Sequence, residues 1–319
     1  MEDIKSILVA IDFSQFSRWA GKRAGMLAAL LESDTVDLLT VKEAGLPDTL
    51  ALVLKSTPVA AEVVLVERAM RELGLISAHL QDNYGIRCTR TVRFGRPEKE
   101  IVARADELAA DLTVIGEHGG HFLTSIFLGN TADKVARTIK TPLLVIKKEA
   151  ITPYRRVLVP VDFSENSRSA AQMALKIAPE AKIDFLHVFD IVLEEQMQSA
   201  GIGNSLVHDY HLKAEEDARR DLNQFIADIQ DGDNRSISRE VVFGYPGHVI
   251  CDHAQSTEPD LIVLGKHGKS GLEELLLGSV SRHVLEQSSC DVLMTIGTSP
   301  LNLIREKSYG GEERIGSSE

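Results

Sequence analysis

The residues that could do chemistry are concentrated in the stretch GKHGKSGLEELLLGSVSRHV, at 265–284. Glycines let the backbone turn freely and bring its N–H groups close to a ligand. Gly278 and Ser279 precede a short helical pattern, and a helix N-terminus adds unpaired donors and the positive end of its dipole. Lys266 and Lys269 add positive charge, and the Ser279 hydroxyl can cap the helix or contact a phosphate or ribose. The stretch predicts a phosphate-binding site, against the alternative that its glycines only shape turns.

The common nucleotide motifs do not fit this stretch. A Walker P-loop requires a glycine five residues before Gly268, where this chain has Val263. The dinucleotide motif G-x-G-x-x-G fails as well, because Lys266 and His267 separate the first two glycines. A dinucleotide-binding enzyme is therefore unsupported. The pattern that does fit is G-x2-G-x9-G-[ST], formed by Gly265, Gly268, Gly278 and Ser279.

The chain repeats itself once, and the repeat sets the domain organisation. Asp162 follows Asp12 by 150 residues, and the stretch at 116–135 is identical to 265–284 at seven of twenty positions. Three segment pairs recur in the same order: 5–17 with 155–167, 92–102 with 241–251, and 116–135 with 265–284. We therefore predict two similar domains, at 1–149 and 153–298, joined near 148–155 and followed by a polar tail at 299–319.

Each half alternates short apolar runs, typical of strands buried on both faces, with helical patterns. This alternation predicts an α/β fold with two Rossmann-like domains, each a five-stranded parallel sheet in the order 3-2-1-4-5 with helices on both faces. The winding reverses between strands 1 and 4, and ligands bind outside their carboxyl ends in such sheets. Asp162 and Gly265 follow those two strands in the second half, so we expect them to face each other across this crevice.

Composition narrows the function classes. The net charge is -12, so no basic surplus supports general binding to nucleic acid or to an anionic membrane. The N-terminal apolar run ILVAI is too short for a signal peptide, and we find no run long enough to span a bilayer. The cysteines, Cys88, Cys251 and Cys290, form no C-x-x-C pattern. We therefore expect a cytoplasmic protein with reduced thiols.

The strand ending in Asp-Phe-Ser at 162–164, the G-x-P at 244–246 and the glycine motif together resemble the universal stress protein family. The resemblance covers both halves and implies a tandem member of that family. It also implies ATP as the ligand, with or without Mg²⁺. Carried over by position, it assigns Asp162 to adenine or ribose and the Val188 backbone to adenine. It assigns the ribose and phosphates to Gly265 and Gly268, and the phosphates to Gly278, Ser279 and Val280. We add Lys266 to this predicted site because of its positive charge.

The first half keeps only part of this pattern. Asn130 stands where the hydroxyl is expected, while Glu117 and Gly120 replace the two lysines. A carboxylate beside a polyphosphate is unfavourable without a cation. We therefore predict that the main nucleotide site lies in the second half and that the first is weak, altered or empty. The first-half positions are Asp12, Val41, Gly116, Gly119, Gly129 and Asn130.

Other groupings of residues are weaker indications of a functional site. His208 and His211 could share a helix face for a metal, but no third ligand is apparent and a solvated face is favoured. Cys251 and His253 point to different helix faces. For the matching pair His118 and His267 we favour a loop-supporting role. We also predict that the segment 42–60 is a long irregular connection near the mouth of the first site, where it could cover that site.

The leading functional interpretation is an ATP-binding stress-response regulator, in which the nucleotide switches conformation or the choice of an unidentified protein partner. One alternative is an interaction protein that binds no nucleotide, and another is an ATP-using phosphotransferase or ligase. No catalytic base is apparent, so at most slow ATP hydrolysis is expected. The apolar strands PLLVIK and DVLMTI should lie at sheet edges and pair the two halves within the chain. A further homodimer of chains is compatible with this arrangement.

Overall fold

The structure, a computed structural model, describes residues 3–119, 128–189, 197, 199–200, 203–229, 236–268 and 277–297. In the first half the elements are β1 (Ser6–Ala10), α1 (Gln15–Leu30), β2 (Thr35–Lys42), α2 (Leu46–Leu54), α3 (Pro58–Tyr84), β3 (Cys88–Phe94), α4 (Pro97–Glu107), β4 (Leu112–Gly116), α5 (Asn130–Thr138) and β5 (Leu143–Ile146). In the second half they are β6 (Arg156–Val161), α6 (Glu165–Ile177), β7 (Lys182–Phe189), α7 (Asn204–Ile229), β8 (Ile237–Phe243), α8 (Pro246–Thr257), β9 (Leu261–Gly265), α9 (Ser279–Gln287) and β10 (Asp291–Thr295).

The strands form one ten-stranded sheet in the order β3-β2-β1-β4-β5-β10-β9-β6-β7-β8. Each half is parallel and has the predicted 3-2-1-4-5 order, so that prediction is confirmed. The predicted edge strands β5 and β10 pair with each other, antiparallel, with Leu144 opposite Leu293. The antiparallel pairing turns the carboxyl ends of the two halves toward opposite edges of the sheet.

Both faces of the sheet are covered by helices, as alternation along a buried strand requires. Ile7 and Val9 of β1 pack on the face that carries α1, α3, α6 and α7, while Leu8 between them packs on the face that carries α4, α5, α8 and α9. Both cores continue through β5 and β10, where Leu144 and Leu293 belong to the first and Val145 and Val292 to the second. The halves therefore share their hydrophobic cores.

The segment 42–60 differs from its prediction as an irregular connection. It contains α2 and the start of α3, which are joined by a short turn. Its two prolines stand in the first turns of these helices, where a missing N–H costs nothing. Thr57 caps α3 by accepting a hydrogen bond from the Ala60 N–H. Covering of the first site by this segment stays a prediction.

None of the described helices is by itself long and apolar enough to cross a bilayer. The segments Leu46–Val53 and Pro58–Tyr84 reach that length and composition only as a pair, and that pair is bent by 108°.

A buried carboxylate holds the connection between the halves. Asp291, at the start of β10, is 2% exposed. One of its oxygens accepts hydrogen bonds from the backbone N–H groups of Lys147 and Lys148, at 2.8 and 3.2 Å. The other accepts from the Tyr154 hydroxyl at 2.8 Å and lies 3.7 Å from Nε of Arg23. Burial raises the pKa of Asp291, while these donors act to lower it. The carboxylate thus fastens both ends of the 147–154 connection to the sheet.

We expect Asp291→Ala to lower the free energy of unfolding by about 3 kcal/mol, because it leaves Arg23, Tyr154 and two backbone donors buried without this acceptor. Urea unfolding followed by circular dichroism measures the change. Glu72→Ala is the matched control, since it removes an exposed ion pair with Arg68 and should cost less than about 0.5 kcal/mol. An Asp291→Ala loss no larger than that of the control would contradict the role of this carboxylate.

Candidate functional site

A cavity of about 400 Å³ opens at the carboxyl ends of β6 and β9, where the winding of the second half reverses. This volume lies within the usual range of small-molecule sites. The predicted residues that line the cavity are Asp162, Val188, Gly265, Gly268, Gly278, Ser279 and Val280. Residues far apart in the chain are thus brought together because parallel strands end at one edge of the sheet.

A tight turn positions the carboxylate of Asp162. One of its oxygens accepts hydrogen bonds from the Ser164 N–H at 3.0 Å and from the Ser164 hydroxyl at 2.5 Å. The residue between them, Phe163, has a φ of 63°, which is strained for a residue with a side chain. Its ring packs against His187, with 4.3 Å between ring centroids. Ser164 then caps α6 by accepting from the Ser167 N–H.

Glycine is required where the loop after β9 approaches its neighbours. A Cβ on Gly265 would lie 2.7 Å from the Asn166 Cβ and 3.0 Å from the Asn166 carbonyl carbon. A Cβ on Gly268 would lie 2.8 Å from the Oδ2 atom of the Asp162 carboxyl group. The loop therefore lies directly against the carboxylate, and both glycines are needed by the packing whether or not a ligand is bound.

The start of α9 forms the other wall of the cavity. Gly278 is the N-cap residue, and its N–H donates to the Lys266 carbonyl at 3.0 Å, which closes the loop. Ser279 is the first helical residue, so of the two roles considered for its hydroxyl, capping the helix does not occur, and contact with a phosphate or ribose stays a prediction. The N–H groups of Ser279 and Val280 belong to the first turn and have no partner within the helix. They are the donors that α9 presents to an anion.

Ser281 is a site residue that the sequence reasoning missed. Its hydroxyl donates to the Gly265 carbonyl at 2.7 Å and so joins the start of α9 to the end of β9. The available signal was the difference between the halves, because the corresponding first-half residue is Ala132.

The position of Lys266 corrects its predicted role beside the phosphates. The residue is 3% exposed, and its ammonium donates to the carbonyls of Arg137 and Ile139 at 2.8 and 2.9 Å, at the end of α5 in the other half. Burial lowers the pKa of Lys266 to about 8. Its side chain leaves the loop toward the first half and does not line the cavity. The second lysine, Lys269, lies outside the described residues, as does Gly120.

Glu117, at the position of Lys266 in the first half, pairs with residues of its own half. Its carboxylate lies 2.8 Å from Nζ of Lys147 and 3.4 Å from Nδ1 of His118. The carboxylate is thus already paired with a buried ammonium, and its effect on a ligand of the first half stays a prediction.

The first half repeats the backbone arrangement of the second. We call this arrangement the frame: the turn after the first strand, the glycine loop packed against its carboxylate, and the start of the helix after that loop. Asp12 accepts from the Ser14 N–H at 2.9 Å, and a Cβ on Gly119 would lie 2.9 Å from the other Asp12 oxygen. A Cβ on Gly116 would meet the backbone of Phe16 at 2.7 Å. The remaining positions also match those of the second half. Val41 lies near the end of β2. Gly129 is the N-cap of α5 and its N–H donates to the Glu117 carbonyl, and Asn130 is the first helical residue.

Two of the histidines considered above pack against aromatic rings, and a third lies at the cavity. The His118 ring packs beside Phe16, and its carbonyl accepts from the Ser14 hydroxyl. His267 lines the second-half cavity. The His211 ring packs against Phe189 and Phe243, with centroid distances of 5.4 and 4.6 Å. Within the described residues no group of three or more His, Cys, Asp and Glu side chains could hold a metal.

We expect Gly265→Ala to lower the free energy of unfolding by about 2 kcal/mol, because the new methyl group must push β9 away from the start of α6. Gly21→Ala is the control, since its Cβ would lie at an ordinary 3.5 Å from Ile76 and alanine favours the helix. Chemical denaturation of both variants compares the two positions. Equal stability of both would show that the loop tolerates a side chain at Gly265.

A family model and curated relatives identify the family of this chain. The model of the universal stress protein family matches residues 3–147 and again 153–295. A universal stress protein of Synechocystis sp. is 31% identical over 150 residues, which cover 44% of this chain and 97% of that protein. One of Mycobacterium bovis is 28% identical over 206 residues, covering 63% of this chain and 66% of that protein.

The fold is also found in a solved structure. The crystal structure of a universal stress protein from Archaeoglobus fulgidus matches with a TM-score of 0.67 and 19% identity, over 92% of this chain and 99% of that one. The double match to the family model covers most of the sequence. The chain therefore belongs to the universal stress protein family and carries the family's domain twice in tandem.

Proposed function

We propose that the second half binds ATP and that the chain acts as a nucleotide-dependent regulator in a stress response. The observation that carries this proposal is the cavity at the β6–β9 crevice, which combines the Asp162 carboxylate, a glycine loop packed against it, and the N-terminus of α9. A carboxylate can bind sugar hydroxyls, while a helix N-terminus favours phosphates.

The order of the strands supports an extended nucleotide. Val188 lies at the end of β7, Asp162 follows β6, and Gly265 ends β9, and these three strands are neighbours in that order. Two strand spacings amount to about 10 Å. Apolar side chains, including Leu186 and Ile250, line the cavity and suit an adenine ring. We therefore place adenine near Val188, ribose near Asp162 and phosphates at the start of α9.

We propose a weaker or empty site in the first half. Ala132 replaces Ser281 there, so the tie between the helix start and the strand end is missing. Glu98, in the first turn of α4, lies 3.5 Å from Lys134 of α5. In the second half the corresponding residues are Gly247 and His283, and a Cβ added to Gly247 would lie 3.1 Å from the His283 ring. At this pair of positions the first half carries an ion-paired carboxylate, whereas the second half carries a glycine.

A regulatory role fits the lining better than a catalytic one. The titratable side chains that line the described cavity are Asp162 and His267. Asp162 accepts two hydrogen bonds from Ser164, which hold it as an orienting group. A steady-state assay for phosphate release from MgATP separates a switch from an ATP-using enzyme, and we expect at most slow turnover.

The sharpest test of the nucleotide site is Ser279→Asp. An acidic residue in the first turn favours helix α9 but repels a phosphate at the same place. We expect the Kd for ATP, measured by isothermal titration calorimetry, to rise about tenfold or more while stability is kept or raised. The matched first-half variant Asn130→Asp should leave the Kd within about twofold.

Two results would contradict the proposal. One is unchanged ATP affinity in Ser279→Asp with a full loss in Asn130→Asp, which would move the site to the first half. The other is the absence of ATP binding by the unaltered chain, both in calorimetry and as nucleotide retained through purification. That second result would favour an interaction protein that uses the same frame without a nucleotide.

A further inference from the structure

Lys266 connects the loop of the second-half site to a helix of the first half. Its backbone is held inside the loop, because its N–H donates to the Thr295 carbonyl at 2.8 Å and its carbonyl accepts from Gly278 at 3.0 Å. Its ammonium binds the carbonyls of Arg137 and Ile139 at the C-terminal end of α5. A displacement of the loop that carries Gly278 must therefore act on α5.

A second connection runs in the opposite direction. Lys147, just after β5, donates from its ammonium to the carbonyls of Leu285 and Ser288 at 2.6 and 2.8 Å, at the C-terminal end of α9. The same ammonium pairs with Glu117, which occupies in the first half the position of Lys266. The Glu117 carbonyl in turn accepts from Gly129, the N-cap of α5.

These contacts form a ring, which we define as Lys266, α5, Glu117, Lys147 and α9. Each ammonium lies at the C-terminal end of a helix, where a cation complements the helix dipole. Helix α5, bound by Lys266 of the second half, begins at the first-half site. Helix α9, bound by Lys147 of the first half, begins at the second-half site. The arrangement follows from the antiparallel pairing of β5 with β10, which brings the C-terminal end of each of these helices to the edge where the other half has its site.

We propose that this ring couples the two sites, so that a nucleotide bound in the second half alters α5 and the first-half site through Lys266. The inference rests on the nucleotide site proposed above. Since binding couplings are reciprocal, occupation of the first-half site would change nucleotide affinity in the second by the same factor. The two connections between the halves differ. Lys266 is itself part of the second-half loop, whereas the connection from the first-half loop to α9 depends on the Glu117–Lys147 ion pair.

Hydrogen–deuterium exchange of the full chain tests the coupling. Saturating ATP should slow exchange at the start of α9, and we expect it to change exchange across 129–139 by about fivefold or more. In Lys266→Met, which keeps the side-chain volume but removes the ammonium, the α9 response should remain and the α5 response should be lost. Lys134→Met is the control, because it removes an α5 surface ion pair outside the ring and should keep both responses.

The outcomes separate the coupling from the nucleotide site itself. Protection of α9 without any change in α5 of the unaltered chain would overturn the coupling and leave the site standing. An α5 response that persists in Lys266→Met would also overturn it. No protection at either helix at millimolar ATP would remove both proposals. The unaltered chain alone gives a decisive reading if Lys266→Met does not fold.

Discussion

The antiparallel pairing of β5 with β10 is the interaction on which the rest of the structure depends. Three residue pairs, including Leu144 with Leu293, turn two parallel sheets into one. Apolar edge strands would otherwise expose unpaired backbone groups and invite aggregation. The pairing buries all four residues of β5 and all five of β10. It also sets the two carboxyl edges on opposite sides of the sheet, so the two candidate sites face away from each other.

This geometry explains the charged groups that lie between the halves. Buried charges need partners, and those of this interface find carbonyl groups, a carboxylate and backbone N–H groups from the other half. Lys266 and Lys147 each bind a helix end across the interface, and Asp291 fastens the connection. Residues that a single domain would expose at its loop become buried contacts in the tandem. The same loop position is Lys266 in one half and Glu117 in the other. Because the domain is duplicated, these two residues make different structural contacts.

Backbone strain and close packing are concentrated where each chain turns from its first strand into its first helix. Phe13 and Phe163 have φ values of 69° and 63°, and Gly116 and Gly265 pack on the helix starts that follow. Such strained turns persist when the surrounding structure holds them, and they cluster at ligand sites. Both halves keep this frame, although only the second adds Ser281 and Ser279 to it. Frame and binding groups are therefore separable features of the fold.

The sequence by itself determined the duplication, the strand order of each half, and the positions where glycine must lie. These follow from local burial patterns and from repeated spacing, which need no knowledge of the partner half. Only the tertiary structure decided where Lys266 and Glu117 point, that 42–60 contains helix α2, and that Ser281 ties α9 to β9. The reason is physical: a charged side chain at the end of a strand goes to whichever neighbour can satisfy its charge, and for Lys266 that neighbour lies in the other half, more than a hundred residues away in the chain.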